Sequence, residues 1–169
     1  TNKFYEEMIE IATNENTPVL LDTNGEILKK MLKSKYKPFL IKPNQEEFSN
    51  LLGISINDDY QIKEALKSPL LDGIEWIVVT LGAKGAIVRH KDRIYRVKIP
   101  VVETVNPVGS GDSVIAGFAS GLFRKYPDEQ LIKYGVAMGV LNAMEKITGY
   151  INPDKIKWCI DQITLEEIT

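Results

Sequence analysis

Cysteine and histidine are nearly missing from this chain: Cys159 and His90 are its only examples. A lone cysteine leaves no internal disulfide framework and no thiolate metal cluster, so Cys159 is expected to pack as a small apolar residue, compatible with a reducing cytosol. The lone histidine sits beside Lys91-Asp92 and reads as an ordinary solvated side chain at a hairpin tip. With no other histidine to act as base, Ser110 and Ser113 make poor serine-hydrolase nucleophiles. An excess of one charge is lacking too. Twenty-one basic residues face twenty-three acidic ones, for a net charge of −2 with no block of either sign. That balance argues against a nucleic-acid partner and for a small ligand. No apolar run approaches the roughly 18 residues of a membrane helix. The opening Thr1-Asn2-Lys3-Phe4-Tyr5-Glu6-Glu7 is too charged for a secretion signal, so a soluble, cytoplasmic protein is expected. A G-x-x-x-x-G-K-[ST] phosphate loop, internal repeats, low-complexity tracts and linkers are all absent.

What is present is enough apolar material for a core, 44% of 169 residues, arranged as one expected domain over residues 1–169. Strand and helix patterns alternate through the first half, the signature of a parallel sheet covered by helices. A helix is predicted over Phe4 to Ala12 with Phe4, Met8, Ile11 and Ala12 on one face. Strands follow at Pro18 to Leu21 and Phe39 to Ile41, helices at Gly25 to Leu32, after the cap Asn44, and at Asn57 to Leu66. Trp76 to Thr80 is apolar on both faces and reads as a central strand. Ala86 to Arg89 and Arg93 to Val97 alternate around Lys91-Asp92 as a hairpin. Val101 to Val105 is predicted as a further strand, with Val101 and Val105 in the core beside Ile74, Trp76 and Val78. Helices are predicted over Asp112 to Arg124, Asp128 to about Ile147, and Pro153 to Ile160.

The most informative stretch is Asn106-Pro107-Val108-Gly109-Ser110-Gly111-Asp112-Ser113. A tight Gly-rich turn opening a helix aims unpaired backbone N–H groups at one spot, where partial positive charge favours an anion. An acid placed there repels an anion and does not bind it, which makes Asp112 a general base facing a phosphoryl group in transfer. A helix cap or first-turn acid remains the alternative for Asp112. The dinucleotide fingerprint G-x-G-x-x-G fails at its third glycine, where Val114 stands.

Two other loops follow strand ends, and in an open α/β sheet ligands bind at the carboxyl ends of the strands. Lys42-Pro43-Asn44-Gln45-Glu46-Glu47 follows Ile41, and Thr80-Leu81-Gly82-Ala83-Lys84-Gly85 ends the strand at Thr80. Together with the Gly-rich turn these resemble the ribokinase, or PfkB-type, carbohydrate kinases. Asn106 to Ala119 matches that family's C-terminal signature at every restricted position. Asn44 and Glu47 match its N-x-x-E motif, and Thr80, Gly82 and Gly85 its nucleotide-binding turn. Within the family, Gly73 to Val79, Tyr95-Arg96-Val97, Asn106 to Asp112 and Thr148-Gly149-Tyr150 are similar to the tagatose-6-phosphate kinase branch, with bacterial 1-phosphofructokinases as near relatives.

The resemblance implies a ribokinase-like, Rossmann-like open sheet, mostly parallel, with helices on both faces and a β-hairpin. The match spans the C-terminal half of the family's usual length, the half that carries nucleotide binding and catalysis. The sugar-binding half and lid lie outside it, so this fragment by itself is expected to be inactive. The resemblance further implies ATP and Mg²⁺ as cofactors, a phosphosugar as the other substrate, and a possible homo-oligomer. Asp112 would be the base, with the amides of Gly109, Ser110 and Gly111 stabilising the transferring group. Glu47 with Asn44 would hold Mg²⁺ through water; the alternative is a helix cap with a solvated acid. Lys42 would reach a phosphate, or be an exposed structural lysine. Thr80, Gly82 and Gly85 would let the nucleotide approach, or form a plain turn. Asn142 would line the adenine, or fill a packing gap. A non-catalytic nucleotide-binding module is the reading from outside the enzymes.

Overall fold

The computed structural model describes residues 2–168, and these pack as two compact units. One comprises the chain through Thr80 together with Ile87–Ile94; the other comprises Leu81–Ala86 with Tyr95–Ile168.

The first unit is built on three parallel strands, β1 (Leu20–Leu21), β2 (Leu40–Ile41) and β3 (Trp76–Thr80), and the next strand in spatial order is β4 (Ala86–His90). Register is set by Leu20 against Leu40 and Leu40 against Trp76. Trp76 to Val79 are all buried, as expected for a strand covered on both faces. Around these strands stand α1 (Asn2–Asn14), α2 (Gly25–Lys33), α3 (Gln45–Leu52) and α4 (Asp59–Ala65). Leu28, Met31 and Leu32 of α2 and Phe48 of α3 supply the largest buried side chains of these helices. The face of α1 that carries Phe4, Met8 and Ile11 is not the buried one. Ile9 is the buried residue, while Phe4, Met8 and Ile11 are 60%, 54% and 62% exposed.

His90 also departs from expectation. It is buried, stacked on Trp76 with centroids 3.8 Å apart and rings 8° from parallel, and its Nε2 lies 3.3 Å from Glu75 Oε1. The hairpin tip is Lys91-Asp92 alone, and His90 is the last residue of β4, turned inward by strand alternation. Next to it, the Arg89 guanidinium donates to the carbonyls of Leu66, Leu71 and Ile74 at 2.7, 2.9 and 3.1 Å. Leu66 O lies at the end of α4, Leu71 O at the end of the short 3-10 turn Pro69–Leu71, and Ile74 O just before β3. Burial lowers the Arg89 pKa, with Asp72 and Asp92 acting in the opposite direction.

In the second unit β5 (Arg93–Lys98), whose first two residues belong to the first unit, pairs antiparallel with β6 (Thr164–Glu167), a strand the sequence pattern does not announce. Its main packing is α5 (Ser110–Phe123) on α6 (Asp128–Ala143), followed by α7 (Ile156–Gln162). The two long helices approach through glycine. A Cβ on Gly117 would lie 2.9 Å from the Gly135 Cα, and one on Gly135 would lie 2.4 Å from the Phe118 ring. Cys159 is buried as expected, and desolvation pushes its thiol pKa up to about 11. Residues 101–105 are not a strand. Val101 is fully solvent-exposed and Val105 47% exposed, while the Val105 and Asn106 amides donate to Ala143 O at 2.8 and 3.1 Å. Neither valine belongs to the core.

Candidate functional site

In the first unit the three parallel strands end on the same side, which brings several sequence-predicted residues together. Lys42 follows β2, Thr80 ends β3, and Asn44 pairs with Thr80 in an isolated parallel bridge. The Thr80 amide donates to Pro43 O at 3.0 Å. Lys42 is only 8% exposed, which removes the exposed-lysine alternative, and its Nζ lies 3.3 Å from Asp22 Oδ2 at the end of β1. A buried ammonium needs such a partner to offset its desolvation. Asp22 carried no assignment in the sequence reading; an acid directly after a strand was its only signal.

Asn44 and Glu47 form a reciprocal capping box. Asn44 Oδ1 accepts from the Glu47 amide and Glu47 Oε2 accepts from the Asn44 amide, both at 2.9 Å. The helix-cap alternative is therefore realised for this pair. Glu47 Oε1 stays outside the cap. Mg²⁺ keeps several waters and takes few protein carboxylates directly. One free carboxylate oxygen fits that demand, and the described residues hold no cluster of three or more His, Cys, Asp or Glu that would make an all-protein cage.

The second unit holds the other predicted loops. Gly82–Lys84 is a 3-10 turn closed by bonds from Gly85 N to Gly82 O and from Leu81 N to Gly85 O. Gly85 has φ +92°, and a Cβ there would lie 2.1 Å from Val97 O, so this glycine answers to the packing of its own chain. Gly82 is exposed.

The Gly-rich turn opens α5 as anticipated, with Gly109 at the N-cap in the left-handed region, φ +81°. A Cβ on Gly109 would also lie 2.5 Å from Thr148 Cγ2. Asn106 Oδ1 accepts from the Val108 amide at 3.0 Å, folding the turn on itself. One amide of the expected trio is otherwise engaged: Ser110 N donates to Pro107 O at 3.2 Å. Gly111 and Asp112, at the second and third helical positions, keep amides with no intrahelical partner. The Asp112 side chain is exposed and makes no hydrogen bond or ion pair among the described residues. It does not cap its own helix.

Asn142 differs from a nucleotide-lining residue. It is completely buried in α6, with Nδ2 donating to Val108 O at 3.0 Å and to Ser110 Oγ at 3.1 Å, and Oδ1 accepting from Gly149 N at 2.7 Å. Its amide has nothing left to offer an adenine. Asn106 Nδ2 reaches the same loop after α6, donating to Lys146 O at 3.2 Å and Thr148 Oγ1 at 3.3 Å. A polar residue inside an apolar helix was the sequence signal for Asn142; its loop partners gave none.

The family profile described as pfkB family carbohydrate kinase matches residues 1–155. The chain belongs to the pfkB family. Among solved structures, this pfkB-family chain is similar to a Staphylococcus aureus protein assigned as a phosphofructokinase, at 27% identity and TM-score 0.87, covering 97% of this chain and 52% of that one. It is also similar to Escherichia coli phosphofructokinase-2 in complex with potassium, at 24% identity and TM-score 0.86, covering 95% and 52%. Arabidopsis thaliana ribokinase complexed with ribose and ATP follows at 22% identity and TM-score 0.82, covering 95% and 53%. The last two likenesses establish a shared ribokinase-like fold. The pfkB-family chain spans about half the length of these structures. No helix among its described residues is long and apolar enough to cross a membrane.

Proposed function

We propose that this chain is the nucleotide-binding and catalytic part of an ATP-dependent phosphosugar kinase, acting on the C1 hydroxyl of D-tagatose 6-phosphate within a longer polypeptide. The observation that carries this reading is Asp112: an exposed, unpartnered carboxylate on the first turn of a helix whose amides are open. The Asp112 carboxylate takes the hydroxyl proton as the sugar oxygen attacks the γ-phosphorus; the bond to the β-phosphate bridging oxygen breaks and ADP leaves. The Gly111 and Asp112 amides stabilise charge on the transferring group. Thr80, Gly82 and Gly85 border the nucleotide. Lys42, held by Asp22, faces phosphate. Glu47 with Asn44 would hold Mg²⁺ through water, and the bound ion would supply charge neutralisation for the phosphate oxygens.

A second reading keeps phosphoryl transfer from ATP and changes the acceptor to fructose 1-phosphate, phosphorylated on its C6 hydroxyl. Side-by-side assay of the full-length protein with ATP, Mg²⁺ and each phosphosugar separates the two. Turnover of tagatose 6-phosphate at the higher kcat/KM is expected, and preference for fructose 1-phosphate replaces the sugar. ATP binding by calorimetry with no transfer to either sugar makes the protein a nucleotide-binding module instead.

A further inference from the structure

The geometry points to Asn142 as a positioning residue for the anion-binding turn, a role that rests on the kinase reading and deepens it. An amide buried without bonds is costly, and an apolar residue would fill this place in α6 equally well. Asn142 instead engages both donors and its acceptor with three separate segments: Val108 O in the turn, Ser110 Oγ at the first residue of α5, and Gly149 N in the loop after α6. Its orientation is fixed by those partners, because only the NH₂ group can donate to a carbonyl and only Oδ1 can accept from an amide.

Two consequences follow for the turn. The Val108 carbonyl and the Gly109 amide belong to one planar trans peptide, so their bonds point in opposite directions. By drawing Val108 O toward itself, Asn142 turns the Gly109 N–H away from α6. Ser110 Oγ accepts from Asn142, so the hydroxyl proton is directed elsewhere. Since the Ser110 amide is engaged with Pro107 O, the serine contributes through its hydroxyl and not its main chain. The donor set for the transferring phosphoryl group becomes the amides of Gly109, Gly111 and Asp112 with the Ser110 hydroxyl, and Asn142 fixes two of its members. The bond to Gly149, together with the Asn106 bonds to Lys146 and Thr148, joins the loop after α6 to the same block.

The test uses the full-length protein with Asn142→Leu and Asn142→Asp. Both should lower kcat for phosphoryl transfer roughly tenfold or more while KM for ATP moves less than about threefold, the pattern of donors that matter most in the transition state. Burial raises the pKa of the acid introduced by Asn142→Asp, and its neutral form regains one O–H donor. Its activity relative to wild type should therefore climb as pH falls, whereas that of Asn142→Leu stays flat. Folded variants with kcat within about twofold of wild type, or an Asn142→Asp ratio indifferent to pH, overturn the assignment. If both variants fail to fold, Ser110→Ala removes one of the three bonds and should lower kcat with the melting curve retained; unchanged kcat overturns the proposal. A wild-type protein that transfers no phosphate to either sugar defeats the kinase reading alone. Hydrogen exchange then decides the positioning claim: faster exchange in Asn142→Leu, confined to 105–112 and 146–150, supports it, and wild-type exchange there overturns it.

Discussion

Arg89 lies in a strand that alternates normally, yet its guanidinium bonds three backbone carbonyls; Leu71 O also accepts from the Ile74 amide at 3.3 Å, which leaves Leu66 O and Ile74 O with Arg89 as their donor among the described residues. Replacing it with methionine keeps the aliphatic packing and strands those acceptors, so Arg89→Met is expected to destabilise the protein by about 2 to 4 kcal/mol, read as a lower urea midpoint. A midpoint equal to wild type would show that water takes over the carbonyls. Cys159 gives a pH-dependent counterpart. Its thiol pKa is about 11 in the fold, raised by burial, against about 8.5 for a free cysteine. The unfolded chain therefore ionises first, and stability is lost as pH rises from about 9 to 11, with no effect below that window. Cys159→Ala should flatten this alkaline limb in denaturation curves taken between those values. Single-residue roles were legible where chemistry is local, as at Cys159, Asn44 and the Gly109 turn. They were illegible where the partner is distant in sequence. Nothing near His90 announces the Trp76 ring, nothing near Lys42 announces Asp22, and neither Val108 nor Gly149 announces Asn142.

Helices α5 and α6 meet through glycines, and their close approach is seen at Gly117 and Gly135. Gly135→Ala would press a methyl into the Phe118 ring and should cost about 1 to 3 kcal/mol by thermal melting. Asn44→Ala removes one arm of the capping box and should cost about 1 kcal/mol. The start of α3 was readable because caps are local, as at Asn44. The stretch 101–105 misled because β-branched residues favour strands only where a partner and a packed face exist. Val101 has neither, and the Val105 amide is taken by Ala143 O. Strand β6 was missed for the converse reason. Its Glu166 and Glu167 carry no apolar alternation, and the partner they meet across the ladder is distant in sequence, as where Lys98 Nζ lies 3.1 Å from Glu166 Oε2.

At the scale of the whole molecule, α1 presents Phe4, Met8 and Ile11 as an exposed apolar stripe, spaced as neighbours along one helical face. Expressed by itself, this chain is expected to self-associate through that face, and Phe4→Lys with Ile11→Lys should shift light scattering toward the monomer. A strictly monomeric wild-type chain would contradict this. The fold class was legible from the alternation of strand and helix, and the family from the loop wording. The division into two compact units was not, because it depends on packing between residues far apart in sequence. The chain spans about half the length of the solved structures it matches, and the catalytic account is a proposal for the whole protein. The most direct test is therefore made on the full-length Asp112→Asn protein, with ATP binding by calorimetry set beside single-turnover phosphoryl transfer. Near-normal ATP affinity with transfer lowered by about 10² to 10⁴ is the predicted result; transfer at the wild-type rate would remove Asp112 from the chemistry.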